Sequence, residues 1–91
     1  MITEQGIMEN LKKLIGRTFK INEIYDEIVC AFEDYEYEGE SYVQVTNDIE
    51  DEYYTTFQAY IDHEDADIYR IVTERDYVDI NEYNYTVTEV Y

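Results

Sequence analysis

Tyr83-Asn84-Tyr85-Thr86-Val87-Thr88-Glu89-Val90-Tyr91 repeats with a period of two residues. Tyr83, Tyr85, Val87, Glu89 and Tyr91 alternate with Asn84, Thr86, Thr88 and Val90. That period places alternate side chains on opposite faces, the signature of a half-buried β-strand. The same character recurs upstream. Ile68-Tyr69-Arg70-Ile71-Val72 reads as a strand, and so does Tyr53 to Ile61, rich in Tyr, Thr and Phe. Tyr35 and Tyr37, then Tyr42-Val43-Gln44-Val45-Thr46, flank a hairpin-like interruption at Glu38-Gly39-Glu40-Ser41. Asn47-Asp48-Ile49-Glu50-Asp51-Glu52 reads as an acidic connection and Asp62-His63-Glu64-Asp65 as an acidic turn. Glu74 to Glu82 fits a turn, a short helix or part of a strand.

Toward the N-terminus the period lengthens to that of a helix. Ile7, Met8, Leu11, Leu14 and Ile15 form one apolar stripe. Thr3 suits its N-cap, Lys12 and Lys13 suit its C-terminal dipole, and Gly16 suits the residue just past its end. Lys12 and Lys13 also fit an attachment patch for an acidic sheet. Residues 22–33 read as a second helix, with Asn22 as cap and Ile24, Ile28 and Phe32 four residues apart. Helices first and strands after predict an α+β fold. One or two N-terminal helices pack on an antiparallel sheet of three to five strands.

The chain has 91 residues, which predicts one acidic domain over 1–91. Ile, Leu, Val and Phe supply 23 of them, about a quarter, above the floor for disorder. There is no proline, and glycine occurs three times, so regular elements dominate. The 23 Asp and Glu against 6 Lys and Arg leave a net charge of -17. That charge is uneven. Residues 1–20 hold four bases against Glu4 and Glu9, a net of +2; residues 21–91 hold 21 acids against Arg70 and Arg75, a net of -19. Such a surface is repelled by nucleic acid and by anionic lipid, so its partner is basic. Added salt is expected to stabilise the fold by screening.

One cysteine, Cys30, excludes an internal disulfide and favours a reducing compartment. It reads as an inert or partly buried thiol. Met1 to Gly6 lacks a basic and apolar leader pattern, and no apolar run reaches the roughly 20 residues of a membrane span. A cytoplasmic protein, acting in an infected bacterial host, is the expectation.

Enzymatic chemistry has little to work with. Ser41, His63 and Cys30 are single copies without a nucleophile-elbow context. Three scattered glycines make no phosphate loop. A calcium loop starting at Asp62 would need glycine at its sixth position and glutamate at its twelfth; Asp67 and Thr73 stand there. No enzyme, cofactor or metal is therefore expected.

The acids themselves carry the functional signal. Glu36, Glu38 and Glu40 alternate with Tyr35, Tyr37 and Gly39. In a strand, same-face carboxylates recur at roughly 6.6 Å, twice the residue rise. Phosphates along one DNA strand recur at roughly 3.4 Å, so the charge density is of the same order. Twelve tyrosines add stiff contact area and cation–π faces for arginine. A net charge of about 2–8 is enough for solubility, so the excess points to a function. The candidate contact set is Asp34, Glu36, Glu38, Glu40, Asp48, Glu50, Asp51, Glu52, Asp62, Glu64, Asp65 and Asp67.

With the acid-rich segments at 33–38, 47–52 and 62–65 behind a short helical start, the chain resembles the DNA-mimicking anti-CRISPR proteins of phages. The resemblance is one of size, charge and tyrosine content over the whole chain. It implies an inhibitor that occupies the basic nucleic-acid-binding or PAM-reading surface of a CRISPR effector. Inhibitors of uracil-DNA glycosylase and antirestriction proteins share the same character. A tyrosine-anchored adaptor or antitoxin for a basic partner is the reading from another class, and oligomeric state stays open.

Overall fold

A computed structural model describes residues 4–32, 43–50, 53–61, 67–80 and 82–91, with Glu4 and residues 47–50 described by their backbone. The elements are α1 (Glu4–Lys12), β1 (Thr18–Phe19), α2 (Ile21–Cys30), β2 (Val43–Glu50), β3 (Tyr54–Ile61), β4 (Tyr69–Asp79) and β5 (Glu82–Val90). The fold is α+β. The five strands form one sheet in the order β1-β5-β4-β3-β2, with every neighbouring pair antiparallel.

Strand alternation decides which face the helices cover. In β3, Thr55, Phe57, Ala59 and Ile61 are buried, whereas Tyr54, Thr56, Gln58 and Tyr60 face outward. Register carries this pattern across the sheet: Phe57 opposes Ile71, and Thr73 opposes Val87. Ile7 and Leu11 of α1, Leu14 beyond it, and Ile24 and Ile28 of α2 close the core from one side. Phe57 lies at the centre, edge-on to Tyr25 at 5.5 Å and to Tyr85 at 5.9 Å. The buried Thr73 hydroxyl donates to the Thr55 carbonyl at 2.7 Å, which satisfies a polar group the core would otherwise penalise.

Several local expectations are corrected. The apolar stripe of the first helix is narrower than its spacing suggested: Ile7, Leu11 and Leu14 are buried, but Ile15 is 44% exposed. The second helix begins at Ile21, so Lys20 rather than Asn22 is its N-cap. Glu23 stabilises that start by accepting a hydrogen bond from the Lys20 backbone N–H at 3.1 Å. The helix starts early because Phe19, paired with Tyr85, fixes the chain against β5 just before it. Cys30 is exposed, not partly buried, because it lies on the opposite side of α2 from Ile24 and Ile28.

Asn47 to Glu50 continue strand β2 and are not a connection. Pairing of Ile49 with Thr56 and Glu50 with Thr55 overrides the weak strand propensity of this acidic run. The register shifts between Asn47 and Ile49, which leaves Asp48 at a bulge on the outer strand. Glu74 to Asp79 extend β4, and a two-residue connection leads from Asp79 to its partner Glu82. Strand β1 is too short to show any period in the sequence.

Gly16 follows the end of α1 with φ +88°, in the left-handed region. Its N–H donates to the Val87 carbonyl at 2.7 Å and ties the helix end to β5. A Cβ there would meet no atom within 4 Å, so the cost of a side chain is conformational. Gly16→Ala is expected to lower unfolding free energy by about 1–2 kcal/mol in chemical denaturation. Gly16→Asn, which tolerates this backbone region better, is expected to cost less.

Candidate partner-binding surface

The charge is uneven along the chain. Residues 1–32, the helical layer and β1, hold five acids against four bases, a net of -1. Residues 33–91, which include strands β2 to β5, hold eighteen acids against Arg70 and Arg75, a net of -16. Even if each of the six Lys and Arg neutralised one acid, 17 carboxylates would remain without a basic counterpart.

Within the sheet, the acids avoid one strand. Strand β3 carries no charged residue at all. Its outward face presents Tyr54, Thr56, Gln58 and Tyr60, flanked by Gln44 and Thr46 on β2 and by Arg70, Val72 and Glu74 on β4. Two of the candidate acids lie near opposite ends of β3. Glu50 is in register with Thr55, near the start of β3. Asp67 is exposed and lies two residues before Tyr69, whose partner is Ala59 near the other end of β3. Thr55 and Ala59 are four residues apart, roughly 13 Å along the strand.

The structure therefore does not bring Asp48 and Glu50 together with Asp67. Asp34, Glu36, Glu38, Glu40, Asp51, Glu52, Asp62, Glu64 and Asp65 lie outside the described residues. So does the hairpin expected around Gly39. The described residues that border two of these segments, Val43 and Ile61, are paired with each other.

A further acidic feature escaped sequence reasoning. The last β3–β4 pair is Tyr54 with Glu74, and β4 runs five residues beyond it alongside β5. This two-stranded arm carries Asp76, Asp79 and Glu82. It also carries Tyr77, Val78 and Ile80, all exposed. The signal was present in the sequence as apolar residues spaced among acids over 74–82. It had no clear period because the register shifts between Tyr77 and Asp79.

The arm is held by specific contacts. The Tyr77 and Tyr83 rings meet edge-on at 5.9 Å, and the Arg75 guanidinium lies 5.1 Å from the Tyr83 ring centre. The Arg75 N–H donates to the Tyr53 carbonyl at 2.7 Å and so joins the arm's root to the start of β3. On the other side, Lys20 Nζ meets Glu82 Oε1 at 2.7 Å.

That ion pair raises the Lys20 pKa above its ordinary 10.5, first through the hydrogen bond to Glu82 and then through its charge. Tyr91 is likewise raised above 10.0 because its hydroxyl donates to Glu89. Both groups are protonated in the stabilising form. Their contributions are thus complete below the unfolded pKa and are lost as pH rises through the raised folded value. Stability is expected to fall above about pH 10, and Glu82→Gln is expected to remove the Lys20 share of that dependence. Urea midpoints measured from pH 8 to 11 check this. Because both groups are exposed, the change is small.

Among the described residues no group of three or more His, Cys, Asp or Glu is placed to hold a metal ion. No helix among them is long and apolar enough to cross a membrane. No protein family, curated protein or solved structure matches the chain.

Proposed function

We propose that the protein is a DNA-mimicking inhibitor that occupies the basic nucleic-acid-binding or PAM-reading surface of a CRISPR effector and blocks target DNA binding. The segregation of charge carries this reading: residues 1–32, which hold both helices, are nearly neutral, whereas residues 33–91, which hold strands β2 to β5, carry a net charge of -16. Folding stability gains nothing from such a concentration of like charge, which repels itself. A surface that must compete with phosphates for Arg and Lys needs it. Carboxylates on strand ends and connections meet those side chains in charge-assisted, often bidentate hydrogen bonds. Long-range attraction speeds the encounter, and the inhibitor excludes DNA without any chemistry. A uracil-DNA glycosylase or a restriction enzyme as target keeps the mechanism and changes the victim.

The test is displacement of fluorescent duplex DNA from a panel of purified proteins. The panel holds guide-loaded single-protein CRISPR effectors, a uracil-DNA glycosylase and a restriction enzyme. Displacement from a CRISPR effector, weakening as salt rises from roughly 50 to 200 mM, is the expected result. Displacement from another panel member alone reassigns the victim. No displacement from any member overturns mimicry.

A further inference from the structure

We infer that the tip of the β4–β5 arm anchors the partner interface: Tyr77, Val78 and Ile80 enter an apolar socket on a basic protein, whose rim arginines or lysines meet Asp76 and Asp79. This rests on the proposed basic partner and adds how that partner is gripped.

Ile80 is 79% exposed, Tyr77 65% and Val78 50%. These residues contribute little to the core, because the nearest core ring on this arm is Tyr85. Ile80 also opens a two-residue hairpin connection, a position where Asn-Gly or Asp-Gly is favoured. A β-branched apolar side chain there has no local advantage. In a chain that is otherwise so heavily charged, its exposure calls for a partner.

The surroundings specify that partner's chemistry. Asp76 and Asp79 are exposed along β4 beside the apolar tip. Asp79 Oδ1 accepts the Ile80 N–H at 2.7 Å, which orients the carboxylate at the tip. Aromatic and aliphatic groups inside a charged rim form the anatomy of an interface hot spot. A second copy of this chain fits poorly, because a two-fold contact at the tip would oppose these acids to their own equivalents. An anionic lipid surface is repelled for the same reason. The Tyr77–Tyr83 contact and the Arg75–Tyr83 stack present the tip in a fixed geometry, which lowers the ordering cost of binding.

The probe is a phage-displayed random peptide library selected on the full-length protein. Enriched peptides are expected to carry Leu, Met or Phe flanked by Arg or Lys. Ile80→Asn is expected to weaken their binding about 30-fold or more, the level of a hot spot. Its thermal midpoint stays unchanged, because Ile80 is exposed. Tyr77→Ser, equally exposed, is the second variant and is expected to act in the same direction. Basic peptides without an apolar residue, bound equally by both variants, would overturn the anchor and leave the basic-partner reading standing. Apolar peptides without basic residues would overturn both, as would the absence of any enrichment.

Discussion

Phe57→Ala is expected to remove about 3–5 kcal/mol of folding stability, the largest loss available from one core side chain. Phe57 is fully buried and touches the helical layer through Tyr25 and the sheet through Tyr85. Its removal leaves a cavity where the two layers meet, and strand geometry prevents full collapse into that space. A domain of this size holds on the order of 5–14 kcal/mol in total. Self-repulsion at a net charge of -17 draws on that reserve. The thermal midpoint is expected to fall by roughly 12 °C or more, followed by circular dichroism at constant salt. Phe57→Leu, which keeps most of the volume, is expected to cost about 1.5 kcal/mol or less. Equal losses for the two variants would show that the ring does not fill the layer interface.

Neutralising Glu36, Glu38, Glu40, Glu50, Asp51 and Glu52 to Gln or Asn is expected to move two quantities in opposite directions. Net charge falls in magnitude from -17 to -11, since six acids are removed. Repulsion weakens, so the thermal midpoint rises, as it is expected to rise in added salt. Competition with DNA falls. Each charge-assisted contact contributes about 1.5–3 kcal/mol, so loss of two or three weakens displacement by about two orders of magnitude or more. A variant that lost competition through misfolding would show a lowered midpoint instead. Full competition with a raised midpoint would remove these acids from the interface. Intermediate variants with three neutral positions are expected to fall between, because rim charges act additively when they do not share a partner.

The legible parts of this fold were those with a clean period. Strand β5 alternates through Tyr85 and Val87 until a register shift at Thr88 turns Val90 to the core side, and Ile24 and Ile28 are both buried on the core side of α2. The elements that escaped had their pattern broken by geometry. Asp48 interrupts the alternation of β2 because it sits at a bulge. A second register shift does the same in β4 between Tyr77 and Asp79. Thr18–Phe19 forms a strand only because β5 supplies a partner, and two residues carry no period of their own. The candidate surface was legible as composition and illegible as shape. Acid counts locate charge along the chain, whereas a surface depends on which strand ends adjoin.

By itself, the sequence determined the α+β class, the excess of acid and the place of both helices ahead of the four long strands. These follow from local period and from charge counts, which need no long-range contact. Only the tertiary structure decided the strand order β1-β5-β4-β3-β2, the position of β4 with Arg70 and Glu74 in the middle of the sheet, and the separation of Glu50 from Asp67. It alone revealed the projecting arm, because β4 and β5 outrun β3 by an amount that only the register fixes. Pairing between strands distant in sequence is set by the shared burial of Phe57, Ile71 and Val87 beneath the helices, and that burial exists only once the layers have met.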